Sequence, residues 1–159
     1  VYKRQSLVYV KRTGKNFMAT MDLIAPSVPL ALGCGRIGNF VNGELPGRIT
    51  EVPWGVIFPG EILARHPSSL YQAFMEGVVL FAVMWLYASV GRPHMAVSGL
   101  FLFSYGLIRC FTEFFRQPDF HIGFLAFEWL TMGQLLSLPM TLTGLVILVI
   151  SYRNVSYQR

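Results

Sequence analysis

Charge is scarce in this sequence. Of 159 residues, 13 are Lys or Arg and 8 are Asp or Glu, 13% of the chain in all. A soluble domain of ordinary composition carries about 25%, which argues against a chain solvated by water on every side. Cysteine is scarce too. Cys34 and Cys110 both fall inside apolar segments, which excludes the disulfide framework of a small secreted domain and leaves two small core positions. No group of His, Cys, Asp and Glu has the spacing of metal ligands, so neither a metal site nor a cofactor is expected. A leader with a basic start, a short apolar run and a small-residue cleavage site is missing, and the first residue is Val1 rather than Met. The expectation is a fragment whose true N-terminus lies upstream. No repeat, low-complexity tract or linker divides residues 1–159, which read as one membrane domain.

What is present is apolar. Hydrophobic residues make up 53% of the chain and its mean hydropathy is +0.50. The net charge of +5 comes from basic residues scattered between apolar runs, not gathered on one polar face. That pattern argues against a nucleic-acid partner and for the positive-inside bias of membrane loops. Four apolar segments stand out, at about Phe17–Phe40, Ser68–Val90, Met95–Phe115 and Trp129–Tyr152. About 20 apolar residues cross the hydrocarbon core, so the expected fold is all-α: a polytopic bundle of about four transmembrane helices. Pro26 and Pro29 predict that the first is kinked or broken. Lys11, Arg12, Lys15, Arg92, His94, Arg153 and Arg159 then share one side, read as cytoplasmic. A loop subdomain at about 42–67 lies on the other, rich in Pro and Gly, with a weak hairpin signal at Val56–Phe58 before Pro59-Gly60. Trp54, Tyr71 and Trp129 fall near the outer boundaries, where aromatic belts sit.

Some charges interrupt these segments, and charge inside a membrane segment is functional by default. Arg36 and Asn39 are three apart, one face of a helix. A planar fork of charged donors with a neutral amide suits a phosphodiester. A snorkelling arginine with a capping asparagine is the equal alternative. Arg109, Glu113 and Arg116 fall at i, i+4 and i+7. On insertion scales each mid-helix charge costs about 2.5–3.5 kcal/mol, against about 0.3–0.6 gained per Leu, Ile, Phe or Val. That third segment is therefore marginal alone and needs partners. Either Arg109 and Glu113 form an internal ion pair with Arg116 at the interface, or Glu113 orients Arg109 toward a lipid phosphate. His66, before Pro67 in the outer loop, is an ordinary solvated histidine or an acid or base near the site. His121 has no supporting context. Gly33-x-Gly35-x-x-Gly38 has the form of a dinucleotide fingerprint without its strand and βαβ setting, so its glycines are expected to permit close packing or ligand approach.

Gly35-Arg36-Ile37-Gly38-Asn39-Phe40-Val41-Asn42-Gly43-Glu44 with Gly47-Arg48 resembles the signature of bacterial prolipoprotein diacylglyceryl transferases. Three further blocks agree in order: His66-Pro67-Ser68-Ser69-Leu70-Tyr71, Tyr105-Gly106 with Arg109 and Glu113-Phe114-Phe115-Arg116, and Gln117-Pro118-Asp119. Pro46, Ser69 and Gln72 depart from the residues usual in the family. Its upstream His-Gly-Gly motif, which carries the histidine proposed as base, and an upstream tyrosine have no counterpart here. The resemblance implies a multi-pass enzyme of the bacterial inner membrane with a periplasmic 42–67 loop. It moves the diacylglyceryl group of phosphatidylglycerol onto the lipobox cysteine thiol of a prolipoprotein signal peptide, leaving a thioether and glycerol phosphate. It also implies Arg36, Arg109 and Glu113 as catalytic residues, and phosphatidylglycerol contacts from Arg36, Asn39, Asn42, Gly47, Arg109 and Arg116. His66 is the acid–base candidate within these residues. An organic-anion transporter or channel is the alternative, since a broken helix and inward arginines would be expected there too.

Overall fold

The computed structural model describes residues 8, 12, 14, 16–117 and 131–157. Lys11, Lys15, Pro118, Asp119, His121, Trp129 and Arg159, which entered the expectations above, lie outside them. Among the described residues every regular element is helical.

Helix α1 (Phe17–Ile24) starts at Asn16, whose side chain accepts from the Met18 amide at 2.9 Å. This is the standard way to satisfy a first-turn donor. The helix passes through a 3-10 turn at Ala25–Ser27 into α2 (Val28–Val41). Pro26 and Pro29 each sit in the first positions of a new element, where a missing amide costs nothing. The expected break is thus a change of helix type, and Phe17–Val41 remains one apolar span of 25 residues. Asn42 closes α2, and Gly43 follows at φ +69° with its amide on the Phe40 carbonyl.

After the 42–67 connection the chain enters α3 (Ser68–Gln72), a π-helical stretch at Ala73–Val79, and α4 (Leu80–Ala88). Together they make a span of 21 residues. Helix α5 (Ala96–Thr112) runs back and gives way to a 3-10 turn at Glu113–Phe115. Helix α6 (Met132–Tyr157) is the last, and its Met132–Arg153 portion is the third span.

The expected four spans become three among the described residues. Helix α5 has only 17 residues, carries Arg109, and loses its α geometry at Glu113. It nevertheless packs along the length of α6. Gly99, Gly106 and Gly144 make the seam: a methyl on Gly106 would strike Thr141, and one on Gly144 would strike Phe103. Small residues at such crossings let helix backbones approach where lipid gives no hydrophobic drive. The start of α5 is held from α1, because the Asp22 carboxylate accepts from the amides of Met95 (2.6 Å) and Ser98 (2.8 Å) and from the Ser98 hydroxyl (2.6 Å). Asp22 therefore caps a helix 73 positions away.

The packing is inverted relative to a water-soluble domain. Glu76, Gln72, Glu113, Gln134, Ser68 and Ser69 are buried, while Leu23, Trp85, Leu86 and Leu136 are exposed. That is the distribution expected when the outer solvent is hydrocarbon and polar groups must find partners inside. Cys34, expected in the core, is exposed on α2; Cys110 is half-buried.

Candidate anion site between the helices

Gly33 and Gly77 place the first half of the site. A Cβ on Gly33 would lie 2.9 Å from the Gly77 Cα, so only two glycines allow α2 and the π-helical stretch to cross this closely. Arg36 lies one turn beyond Gly33, and Glu76 precedes Gly77. The crossing brings them together: Arg36 Nε donates to Glu76 Oε2 at 3.0 Å. Glu76 is 0% exposed, and its Oε1 has no hydrogen-bond partner.

The second half stands on α5 and the turn after it. Arg109 Nη2 lies 2.9 Å from Glu113 Oε2, and Arg116 Nη1 lies 4.0 Å from Glu113 Oε1. The Arg109–Glu113 pairing expected from their spacing is present. Arg116 does not continue the helical face, because the 3-10 turn ends at Phe115 and Arg116 is extended, its backbone paired with Gly47. Gly133 of α6 makes room for the acid, since a methyl there would lie 2.6 Å from the Glu113 carboxyl. Thr131 and Gln134 cap α6 beside it reciprocally: Thr131 N–H donates to Gln134 Oε1 (3.1 Å), and Gln134 N–H to Thr131 Oγ1 (3.4 Å).

Tyr105, on α5 one turn before Arg109, links the halves. It lies within electrostatic range of Arg36, Glu76 and Arg109. Three guanidiniums, of Arg36, Arg109 and Arg116, thus face two buried carboxylates, Glu76 and Glu113. Set in a water-poor interior, these forks interact strongly with any charge brought among them.

The segment after α2 is tied to the start of α3 and to the turn that follows α5. Ser68 Oγ donates to the Leu45 carbonyl (2.9 Å) and Ser69 Oγ to that of Glu44 (3.3 Å). Gly47 N–H donates to the His66 carbonyl (3.0 Å) and Arg48 N–H to that of Phe115 (3.1 Å). Gly47 has no room for a side chain: a Cβ would lie 2.8 Å from the Phe115 oxygen and closer still to that of His66. The hairpin signal resolves into a single antiparallel pair, Val56 with Arg65, closed over Pro59-Gly60.

The remaining candidates separate. Asn39 is half-buried one turn past Arg36, and its carbonyl accepts from Glu44 N–H at 2.9 Å. Asn42 is exposed and lines a small cavity of about 150 Å³ with Phe40, Phe58 and Pro59, apart from the arginines. His66 Nδ1 lies 3.2 Å from the Tyr71 hydroxyl, which accepts from Trp54 Nε1 at 2.7 Å. These three side chains, with Phe74, Phe111 and Phe115, wall an apolar cavity of about 480 Å³ that reaches Met75 and Thr112, the neighbours of Glu76 and Glu113. Sequence reasoning passed over Glu76. The signal was there, a single charge in an otherwise apolar segment, but nothing in the sequence named its partner.

The family model described as prolipoprotein diacylglyceryl transferase matches residues 4–150. A phosphatidylglycerol–prolipoprotein diacylglyceryl transferase of Azotobacter vinelandii is 55% identical over 151 residues, 94% of this chain and 57% of that protein. Proteins of the same name from Ectopseudomonas mendocina (54%, covering 91% of this chain and 55% of the relative) and Oleidesulfovibrio alaskensis (53%, covering 92% and 55%) are similarly alike. The chain spans about half the length of these curated relatives.

Proposed function

This chain belongs to the prolipoprotein diacylglyceryl transferase family, and from that premise we propose that its buried arginine cluster holds the phosphate of phosphatidylglycerol during diacylglyceryl transfer to the lipobox cysteine of a prolipoprotein. The reaction takes place at the periplasmic face of the bacterial inner membrane. The observation that carries the reading is the pair of buried arginines, Arg36 held by Glu76 and Arg109 held by Glu113, both within electrostatic range of Tyr105 inside a bundle whose outer surface is apolar.

The chemistry follows from the charges. The cysteine thiol of the substrate loses its proton to a base, and the sulfur attacks the glyceryl carbon that bears the phosphate. The C–S bond forms, the C–O bond breaks, and the electron pair leaves on the phosphate oxygen as glycerol phosphate. The phosphodiester starts with one negative charge and the departing monoester gains another. Arginine forks fixed before the reaction stabilise that gain more than they stabilise the starting lipid, which is what lowers a barrier. Arg36 and Arg109 are assigned this role, with Glu113 orienting Arg109 and Arg116 adding charge beside it. Asn39 and Gly47 are assigned to the lipid site, whereas Asn42 stands in a separate cavity and is given no part in it. His66, on the wall of the adjoining cavity, is the acid–base group these residues supply. The nucleophile comes with the substrate, so the cluster needs none of its own.

The test is product analysis with the native protein carrying this chain, in vesicles containing phosphatidylglycerol, against a synthetic lipobox peptide. The expected result is a peptide heavier by one diacylglyceryl group in thioether linkage, with glycerol phosphate released in equal amount. Unmodified peptide and intact lipid would refute the reading.

A further inference from the structure

We propose that Glu76 is a positioning residue for Arg36, an inference that rests on the transfer reaction assigned above. Glu76 is the one charged side chain of the Ser68–Ala88 span and is fully buried. It stands in the π-helical stretch Ala73–Val79. Such stretches re-aim side chains relative to an α-helix and recur at functional sites. Here the re-aimed acid meets an arginine 40 positions earlier on another helix.

Its manner of contact fits a positioning role. One carboxylate oxygen takes Nε, the inner edge of the guanidinium, at 3.0 Å. The bond leaves the two terminal nitrogens to other partners, and Tyr105 lies within electrostatic range of the guanidinium. A bidentate grip would have used up one of those terminal nitrogens. Glu113 holds Arg109 from the next turn of the same chain segment, so that pair moves as one body. The Arg36–Glu76 bond instead crosses between two spans at the Gly33–Gly77 contact. It therefore sets where the Arg36 fork stands relative to Arg109, and a single phosphate can meet both forks only if that separation is fixed.

The test compares Glu76→Gln and Glu76→Leu with the parent, in the native protein carrying this chain. Transfer to a lipobox peptide is measured at varied phosphatidylglycerol. Glu76→Leu is expected to lower kcat by about tenfold or more while KM for the lipid changes less than about threefold, the signature of an interaction used in the transition state. Glu76→Gln keeps the length and the acceptor, and should fall between Leu and the parent. In an Arg36→Lys background, Glu76→Leu should cost nothing further, because its effect runs through the fork already lost. Full multiplication of the two losses, a raised KM with unchanged kcat, or parental kcat in Glu76→Leu would each overturn the proposal. If Glu76→Leu does not fold, parental kcat in Glu76→Gln overturns it alone. Absence of transfer by the parent would refute the function and this inference together, whereas an active parent with equally active Glu76 variants refutes the inference only.

Discussion

At the scale of single residues the site is a matter of forks and their partners. Arg36 and Arg109 are each paired to one buried acid, and Tyr105 lies between them. Lysine preserves the charge but offers a point rather than a plane. Arg36→Lys and Arg109→Lys are therefore expected each to reduce transfer at least about tenfold, roughly 1.4 kcal/mol of transition-state stabilisation. Under the proposed function both act on one phosphate, so the double change should cost less than the product. Initial rates at saturating lipid, with circular dichroism to establish folding, measure this; near-parental rates in either variant would exclude that arginine from the phosphate. Much of this cluster was legible beforehand. Arg109 and Glu113 are four apart, and helical geometry alone pairs them. Arg36 was legible as a charge in the wrong place, but Glu76 as its partner was not. Their pairing depends on a glycine crossing between segments far apart in the chain, and no local pattern encodes which helices cross.

At the scale of elements the prolines, glycines and caps decide more than helix propensity. The break near Pro26 and Pro29 was legible because proline removes a donor wherever it stands. The π-helical stretch was not, since its sequence AFMEGVV has no residue that forbids ordinary α geometry. The end of α5 was misjudged for a related reason: the spacing of Arg109, Glu113 and Arg116 fits a helix, yet backbone pairing of Arg116 with Gly47 draws the chain out of it. Asp22, a lone acid in an apolar segment, caps α5 from 73 positions away, a partnership no local pattern encodes. Asp22→Ala should remove three hydrogen bonds at that helix start. A lost cap costs about 0.5–2 kcal/mol, and a chain of this size shifts by roughly 2–4 °C per kcal/mol. A lowered Tm in detergent is expected, with KM for lipid unchanged; an unchanged Tm would show that the cap carries no stability.

At the scale of the whole molecule, direction matters. Tyr87 near the end of α4 meets Tyr152 of α6 hydroxyl to hydroxyl at 2.7 Å, and Arg92 packs 4.2 Å over the Tyr87 ring and donates to the Tyr87 carbonyl. These contacts share an end with Asp22 and the start of α5. The 42–67 connection and Arg116 share the other. The positive-inside rule assigns Arg92 to the cytoplasm and residues 42–67 to the periplasm. Cysteine placed at Ile62, which is 91% exposed, in a background lacking Cys34 and Cys110, should react with an impermeant thiol reagent added to the periplasmic side. Cysteine at Arg92 should react only after the membrane is opened. The reverse pattern would invert the orientation.

The two tethers on α5 have a further consequence, for the order in which the chain comes off the ribosome. The first two spans can meet once the second has been synthesised, because the Gly33–Gly77 crossing and the Arg36–Glu76 bond lie within them. Helix α5 cannot settle so early. Asp22 and Gly47, made earlier, are ready to receive its first amides and the extended Arg116 after its last turn, but its long seam waits for α6. One half of the arginine cluster is thus complete while the other is still being made, and the nascent protein already holds a shaped socket into which the late helix docks.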